Sequence, residues 1–124
     1  MEWKEHYAQD HAQMDETHRE FVALVDRLSR VKPEEVVEAL EELLAHTGQH
    51  FAQEKAWMEM SGFPPMLCHV DEHARVLDSL EKVLAMTRQN NPGLGRIVAR
   101  ELEDWFIQHA ATMDAALAAH LRQV

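Results

Sequence analysis

Apolar residues recur along most of the chain at alternating steps of four and three, the spacing that keeps one face of an α-helix turned towards a core. The clearest run is Val36, Leu40, Leu43, Thr47, His50, Glu54 and Trp57. Breaks rich in proline and glycine interrupt the pattern near residues 33, 61–65 and 90–95. The periodicity therefore predicts four helices, over about 16–31, 34–60, 66–88 and 95–121.

The connections between these predicted helices are short, so neighbouring helices should run antiparallel. We therefore expect an all-α fold: an antiparallel up-down-up-down four-helix bundle over residues 15–121, with an N-terminal arm over 1–14. Asp15 is well placed to cap the first helix. A chain of 124 residues fits one domain, 1–124, built around one hydrophobic core.

Composition and charge narrow the range of partners. A net charge of -10 disfavours both nucleic acid and an acidic membrane surface. No apolar stretch reaches the roughly 18 residues of a membrane span. The polar N-terminus lacks the apolar centre of a signal peptide, so we expect a cytoplasmic protein. The single cysteine, Cys68, excludes an internal disulfide.

The nine histidines are the unusual feature of the composition. Five of them occupy inward-facing positions that should be apolar: His18, His50, His69, His73 and His109. They fall early in the first and third predicted helices and late in the second and fourth. Antiparallel helices would therefore bring all five to the same end of the bundle, together with Glu54 and with Asp114 nearby.

Such a cluster of seven buried polar groups implies a bound ligand. A single inward histidine is usually a core residue with hydrogen-bond partners, but leaving seven groups unsatisfied would cost about 7–20 kcal/mol. The whole stability of a domain is only about 5–15 kcal/mol. Imidazole and carboxylate ligands without thiolate suit iron, zinc, copper or nickel. Seven ligands are too many for one tetrahedral zinc, which favours two metal ions that share carboxylates.

The spacing on the last helix predicts a local distortion. His109 and Asp114 lie five residues apart, which separates them by about 140° on a regular helix. We therefore predict a π-bulge near 109–114, which would bring both side chains onto one face. A ferritin-like oxidase site is a competing interpretation, but it needs Glu-x-x-His motifs on two helices, and the sequence contains none.

Four motifs, taken together, resemble the signature of the bacterial hemerythrins: Met14-Asp15-x-x-His18, His50-Phe51-x-x-Glu54, His69-x-x-x-His73 and Trp105-x-x-x-His109-x-x-x-x-Asp114. The resemblance in order and spacing covers essentially the whole chain. It implies a non-heme di-iron protein that reversibly binds dioxygen and is not an enzyme.

The resemblance also implies a division of the ligands between two irons. Three histidines would bind one iron: His69, His73 and His109. His18 and His50 would bind the other, while Glu54 and Asp114 would bridge both together with an oxo or hydroxo group. A count of ligands then fills six positions on the first iron and leaves one open on the second, where dioxygen would bind.

The expected ligand pocket is formed by four aromatic residues and one alanine: Phe21, Phe51, Trp105, Phe106 and Ala110. Related sequences often have leucine after the tryptophan and isoleucine after the last ligand histidine, where this chain has Phe106 and Ala110. We expect a reshaped pocket, with an oxygen affinity and an autoxidation rate that differ from those of the family.

Three classes of function remain open within this resemblance. The leading one is oxygen storage, delivery or supply. A sensor of oxygen, redox state or nitric oxide would have to act through a partner protein. An enzyme that handles peroxide or nitric oxide would need a general acid or base, and none stands out beyond the ligands. Nitric oxide, peroxide and azide-like anions are further candidate ligands, and the expected assembly is a monomer or weak oligomer.

Overall fold

A computed structural model describes all residues 1–124, and every regular element in it is helical. The long helices are α1 (Ala12–Arg30), α2 (Val36–Ser61), α3 (Met66–Arg88) and α4 (Leu94–His109). A π-helical turn (Ala110–Asp114) follows α4 and leads directly into α5 (Ala115–Leu121). Short 3₁₀ turns occupy Glu5–Tyr7 and Pro33–Glu35. None of the helices combines the length and apolar character that a membrane span requires.

The four long helices form a closed ring of contacts. α1 packs against α2 and α4, and α3 packs against the same two helices. The connections at 31–35, 62–65 and 89–93 are short, so each helix reverses the direction of the one before it. The predicted four-helix bundle is confirmed, with the π turn and α5 extending its last member.

The first helix begins at Ala12, four residues before the predicted start. Its N-cap is His11, whose Nδ1 accepts a hydrogen bond from the backbone N–H of Met14 at 3.1 Å. The prediction that Asp15 caps this helix was wrong. The Asp15 carboxylate instead accepts a hydrogen bond from the backbone N–H of Gln9 at 2.7 Å, which ties the preceding arm to the helix.

The N-terminal arm folds back onto the bundle. The Tyr7 ring is buried and meets the Phe106 ring edge to face, with centroids 5.7 Å apart. The side-chain amide of Gln9 donates a hydrogen bond to the carbonyl of Ala110 at 2.7 Å. The arm therefore contacts the π turn directly.

Two glycines have specific roles at the helix ends. Gly62 ends α2 with φ +65°, in the left-handed region that favours glycine, and its N–H donates to the carbonyl of Met58. Gly95 lies where the start of α4 approaches α2 closely. A Cβ atom at this position would lie 2.8 Å from Cγ1 of Val36, too close for an ordinary contact.

The apolar interior forms two separate clusters. The larger has 16 buried residues, drawn from the arm, all four long helices and the π turn. The smaller has five, near the other end of the bundle: Met14, Met58, Phe63, Leu117 and Ala118. His18 on α1, His50 and Glu54 on α2, and Asp114 in the last helical segment fall between residues of these two clusters along the chain. The clusters therefore enclose a polar layer inside an otherwise apolar core.

Candidate metal centre

The structure brings together all seven of the residues that the sequence singles out. His50 has an exposed fraction of 6%, and the other six residues are at 3% or less. α1 contributes one histidine, and α2 and α3 contribute two residues each. Of the remaining pair, His109 ends α4 and Asp114 ends the π turn. The antiparallel arrangement places all of them in one layer, as the sequence pattern predicts.

The seven side chains form two groups that share a member. One ligand atom from each of five residues lies within 4.8 Å of all the others in the first group: Glu54, His69, His73, His109 and Asp114. A second group, with the same criterion, contains His18, His50 and Glu54. Glu54 therefore stands between a three-histidine side and a two-histidine side.

The two oxygens of Glu54 face different sides of the cluster. Oε1 lies 3.2 Å from Nε2 of His69 and 3.6 Å from Nε2 of His73. Oε2 lies 2.6 Å from Nε2 of His50 and 3.5 Å from Nε2 of His18. One carboxylate thus contacts four imidazoles, two through each oxygen.

Asp114 has the same arrangement. Its Oδ1 lies 3.1 Å from Nε2 of His69 and 3.1 Å from Nε2 of His109. Its Oδ2 lies 3.2 Å from Nε2 of His18. Both carboxylates therefore turn one oxygen to the three-histidine side and the other to the two-histidine side.

The π turn brings Asp114 into this position. The backbone N–H of Ala115 donates to the carbonyl of Ala110, the five-residue step of a π helix. The extra residue in the turn rotates Asp114 onto the inward face that His109 already occupies, and the aspartate is only 1% exposed. The predicted π-bulge is confirmed.

Several ligand-type atoms in the cluster have no hydrogen-bond partner despite being buried: Nε2 of His18, Nε2 of His69, Oε1 of Glu54 and Oδ1 of Asp114. Each lies 3.1–3.6 Å from one or more neighbouring ligand atoms, but not in a hydrogen-bonding direction. Two ligand atoms at right angles around a metal, with bonds of about 2.1 Å, are about 3.0 Å apart. The spacing and the donor chemistry therefore fit shared cations.

The charges of the cluster also suit cations. Burial raises the pKa of both carboxyls, but the surrounding histidines outweigh it and hold the pKa of Glu54 below its usual range and that of Asp114 well below it. Burial lowers the pKa of His18 and His69, but the two carboxylates overcome this and raise each pKa to about 9. Burial lowers the pKa of His73 to about 3. Two ionised carboxylates thus sit beside imidazoles whose protons a metal could replace.

Aromatic rings pack directly on two of the histidines. The Phe51 ring stacks on His73 with centroids 3.6 Å apart and planes 4° apart. The Trp105 ring stacks on His109 with centroids 4.4 Å apart and planes 21° apart. These stacks restrict the rotation of both imidazoles.

The other three predicted pocket residues lie on the core side of the cluster. Phe106 meets the His18 ring edge to face at 5.2 Å, and the Phe21 ring lies 5.4 Å from that of Phe106. Ala110 is buried and begins the π turn. All five predicted pocket residues therefore lie next to the cluster or within its apolar wall.

Glu72 is a neighbour of the cluster that the sequence analysis missed. Its Oε1 accepts hydrogen bonds from Nε1 of Trp105 at 2.8 Å and from Nδ1 of His109 at 3.0 Å. One acidic residue among many on a helix gives no signal by itself. The signal available was Trp105, because an inward-facing indole N–H needs an acceptor.

A polar cleft between α1 and α2 reaches the edge of the cluster. Its volume is about 160 Å³, and His50 forms its inner wall. Nearer the surface, Nε2 of His46 lies 3.1 Å from Oε1 of Glu20. The two-histidine side is therefore the side that approaches solvent through a polar opening.

Comparisons with known proteins agree with this geometry. Residues 9–121 match the family model described as "Hemerythrin HHE cation binding domain". A bacteriohemerythrin from Ralstonia nicotianae is 36% identical over 123 residues, which covers 99% of this chain and 90% of that protein. Both matches span all four long helices and every residue of the cluster.

Proposed function

Because the chain belongs to the hemerythrin family, we propose that it is a non-heme di-iron protein that reversibly binds dioxygen for storage, delivery or supply. The proposed metal ligands are the seven clustered residues: His18, His50, Glu54, His69, His73, His109 and Asp114. The same proposal makes residues 1–124 one cytoplasmic domain, monomeric or weakly oligomeric.

One observation carries this proposal. Glu54 and Asp114 are buried side by side, and each carboxylate directs one oxygen to each of the two histidine groups. A single cation needs no such division, whereas two cations held side by side do. Bridging carboxylates fix the separation of two metals and supply two negative charges to balance them.

The unequal numbers of histidines would create the binding position. Three imidazoles, two carboxylate oxygens and a bridging oxo or hydroxo group would complete an octahedron on one side: His69, His73 and His109 are its imidazoles. The other side, with His18 and His50, has one ligand fewer. Two iron ions at this site would supply the electrons and the open coordination position that dioxygen binding requires.

The apolar side chains around the cluster would protect this chemistry. Phe21 and Phe106 are at most 1% exposed and cover the core side of the histidines, while Phe51, at 5%, covers the face of His73. An apolar shell controls solvent access and so limits loss of electrons from a reduced centre. The chain's own contribution is therefore to orient seven ligands and to exclude water from their core side.

Absorption spectroscopy of the reduced, iron-loaded protein tests this proposal. Metal analysis should give two irons per chain, and exposure to air should produce a charge-transfer band that disappears on removal of oxygen. The Asp114→Asn variant should lose at least one iron. The Asp78→Asn variant, which removes a surface carboxylate paired with Lys82 at 2.9 Å, should behave as the parent protein.

Two results would contradict oxygen carriage. Irreversible oxidation in air, with steady turnover of added peroxide, would indicate an enzyme. One metal ion per chain in the fully loaded parent protein would contradict the two-metal site itself.

A further inference from the structure

The clustered histidines differ in the contacts of their outer nitrogen, Nδ1, which faces away from the cluster. Nδ1 of His18, His50 and His69 is buried without any hydrogen-bond partner. Nδ1 of His109 lies 3.0 Å from a carboxylate oxygen of Glu72. His109 is therefore distinguished from these three imidazoles, although all four direct Nε2 into the cluster.

Glu72 holds His109 as part of a three-residue unit. The same Oε1 accepts from the indole N–H of Trp105 at 2.8 Å, and the indole ring lies flat against the imidazole. The hydrogen bond fixes the rotation of the ring and the stack fixes its plane. Glu72 is on α3, while its two partners lie one turn apart near the end of α4.

The hydrogen bond also determines which nitrogen of His109 can bind a metal. A proton on Nδ1, donated to Glu72, leaves the lone pair on Nε2. That Nε2 lies 3.0 Å from Nε2 of His73 and 3.1 Å from Oδ1 of Asp114, inside the three-histidine group. A carboxylate that accepts from the outer nitrogen makes an imidazole a stronger metal ligand.

We propose that Glu72 is a positioning residue: it holds His109 in the Nε2-binding tautomer, and its negative charge favours the ferric state of the iron on the three-histidine side. This inference rests on the proposed di-iron function. It makes the two irons electronically unequal, because the carboxylate supports a ligand of one iron only. Its side chain is 33% exposed, so the charge lies at the edge of the protein and within reach of solvent.

Two substitutions separate the hydrogen bond from the charge. Glu72→Gln keeps an oxygen acceptor for His109 and Trp105 but removes the charge, whereas Glu72→Leu removes both. Asp71→Asn is the matched control, because Asp71 is the adjacent carboxylate on α3, is exposed and pairs only with Arg75 at 2.7 Å. Surface pairs of this kind contribute little to stability.

Three measurements on the iron-loaded proteins test the proposal: the rate of iron transfer to a chelator, the midpoint potential, and the NMR signal of the His109 Nδ1 proton in the diferrous state. Glu72→Leu should weaken iron binding about 10–100-fold and lose the proton signal. Glu72→Gln should keep the signal and shift the ferrous-to-ferric ratio about tenfold towards ferrous, equal to about 59 mV for one electron. Asp71→Asn should match the parent protein in all three.

Equal chelator rates and equal potentials in Glu72→Gln, Glu72→Leu and Asp71→Asn would overturn the proposal. If Glu72→Leu does not fold, the potential of Glu72→Gln still decides the role of the charge, and an unchanged value overturns it. Failure of the parent protein and Asp71→Asn to hold two irons would instead contradict the proposed function. The iron content of these two proteins therefore separates failure of the proposed function from failure of the Glu72 proposal.

Discussion

Metal removal should destabilise the bundle strongly, because four of the inward-facing ligand atoms of the cluster are buried without a hydrogen-bond partner: Nε2 of His18, Nε2 of His69, Oε1 of Glu54 and Oδ1 of Asp114. Each unsatisfied buried group costs about 1–3 kcal/mol, so the four together cost about 4–12 kcal/mol. A metal that binds only the folded chain returns about 4 kcal/mol when it is present at a thousand times its Kd. For a domain of this size, that free energy corresponds to a Tm difference of roughly 12–20 °C.

Thermal unfolding followed by circular dichroism measures this effect. The protein would be melted anaerobically over a series of ferrous iron concentrations, and again with excess chelator. The Tm should rise with the logarithm of the iron concentration, as binding linkage requires. Asp114→Asn should reduce that rise, whereas Asp78→Asn should leave it unchanged, because Asp78 lies on the surface of α3.

The same series contains the refuting result. A Tm that stays constant across the iron concentrations would show that the seven residues satisfy one another without metal. A rise that is as large in Asp114→Asn as in the parent protein would show that metal binds elsewhere.

Three further predictions concern the site and its surroundings. Iron loading at pH 7 should release about two protons, because His18 and His69, whose pKa values are raised to about 9, must lose their protons to bind metal. The affinity for iron should therefore decrease as the pH is lowered below 9. Calorimetry in two buffers measures the proton release, and the absence of any release would contradict this prediction. Ala110→Ile should change the autoxidation rate measured by absorbance, since the residue is buried in the π turn; an unchanged rate contradicts a pocket role. Gly95→Ala should lower the free energy of unfolding by about 1–3 kcal/mol through overpacking. Gly48→Ala, with open space around it, should raise that free energy by about 0.5–1 kcal/mol. Equal effects of the two substitutions in urea unfolding would disprove the close approach of Gly95 to Val36.

The fold and the seven clustered residues could be predicted because both depend on helical periodicity. Inward positions recur every three or four residues, so polar residues at those positions are visible without a structure. His109 and Asp114 break that period by one residue. The break itself predicted the π turn, because no regular helix could place both residues inside.

The residues that the sequence did not reveal act through contacts between separate elements. Glu72 on α3 meets Trp105 and His109 on α4, and no spacing within α3 indicates this. His11 caps α1 in place of Asp15, because the arm folds back and the backbone N–H of Gln9 donates a hydrogen bond to the Asp15 carboxylate. Both outcomes depend on tertiary packing, which local helix signals do not contain.

The extra residue between His109 and Asp114 has a consequence for anyone who would transplant this site. If the same ligand residues were placed on a regular α-helix, Asp114 would point away from the cluster. Every residue after it would also be rotated away from its present packing partners. Leu117 and Ala118, which are fully buried here, would then turn towards water. A designed site must therefore include the π turn together with the side chains. The alternative is to place the aspartate four residues after the histidine instead of five and to accept a different geometry of the bridging carboxylate.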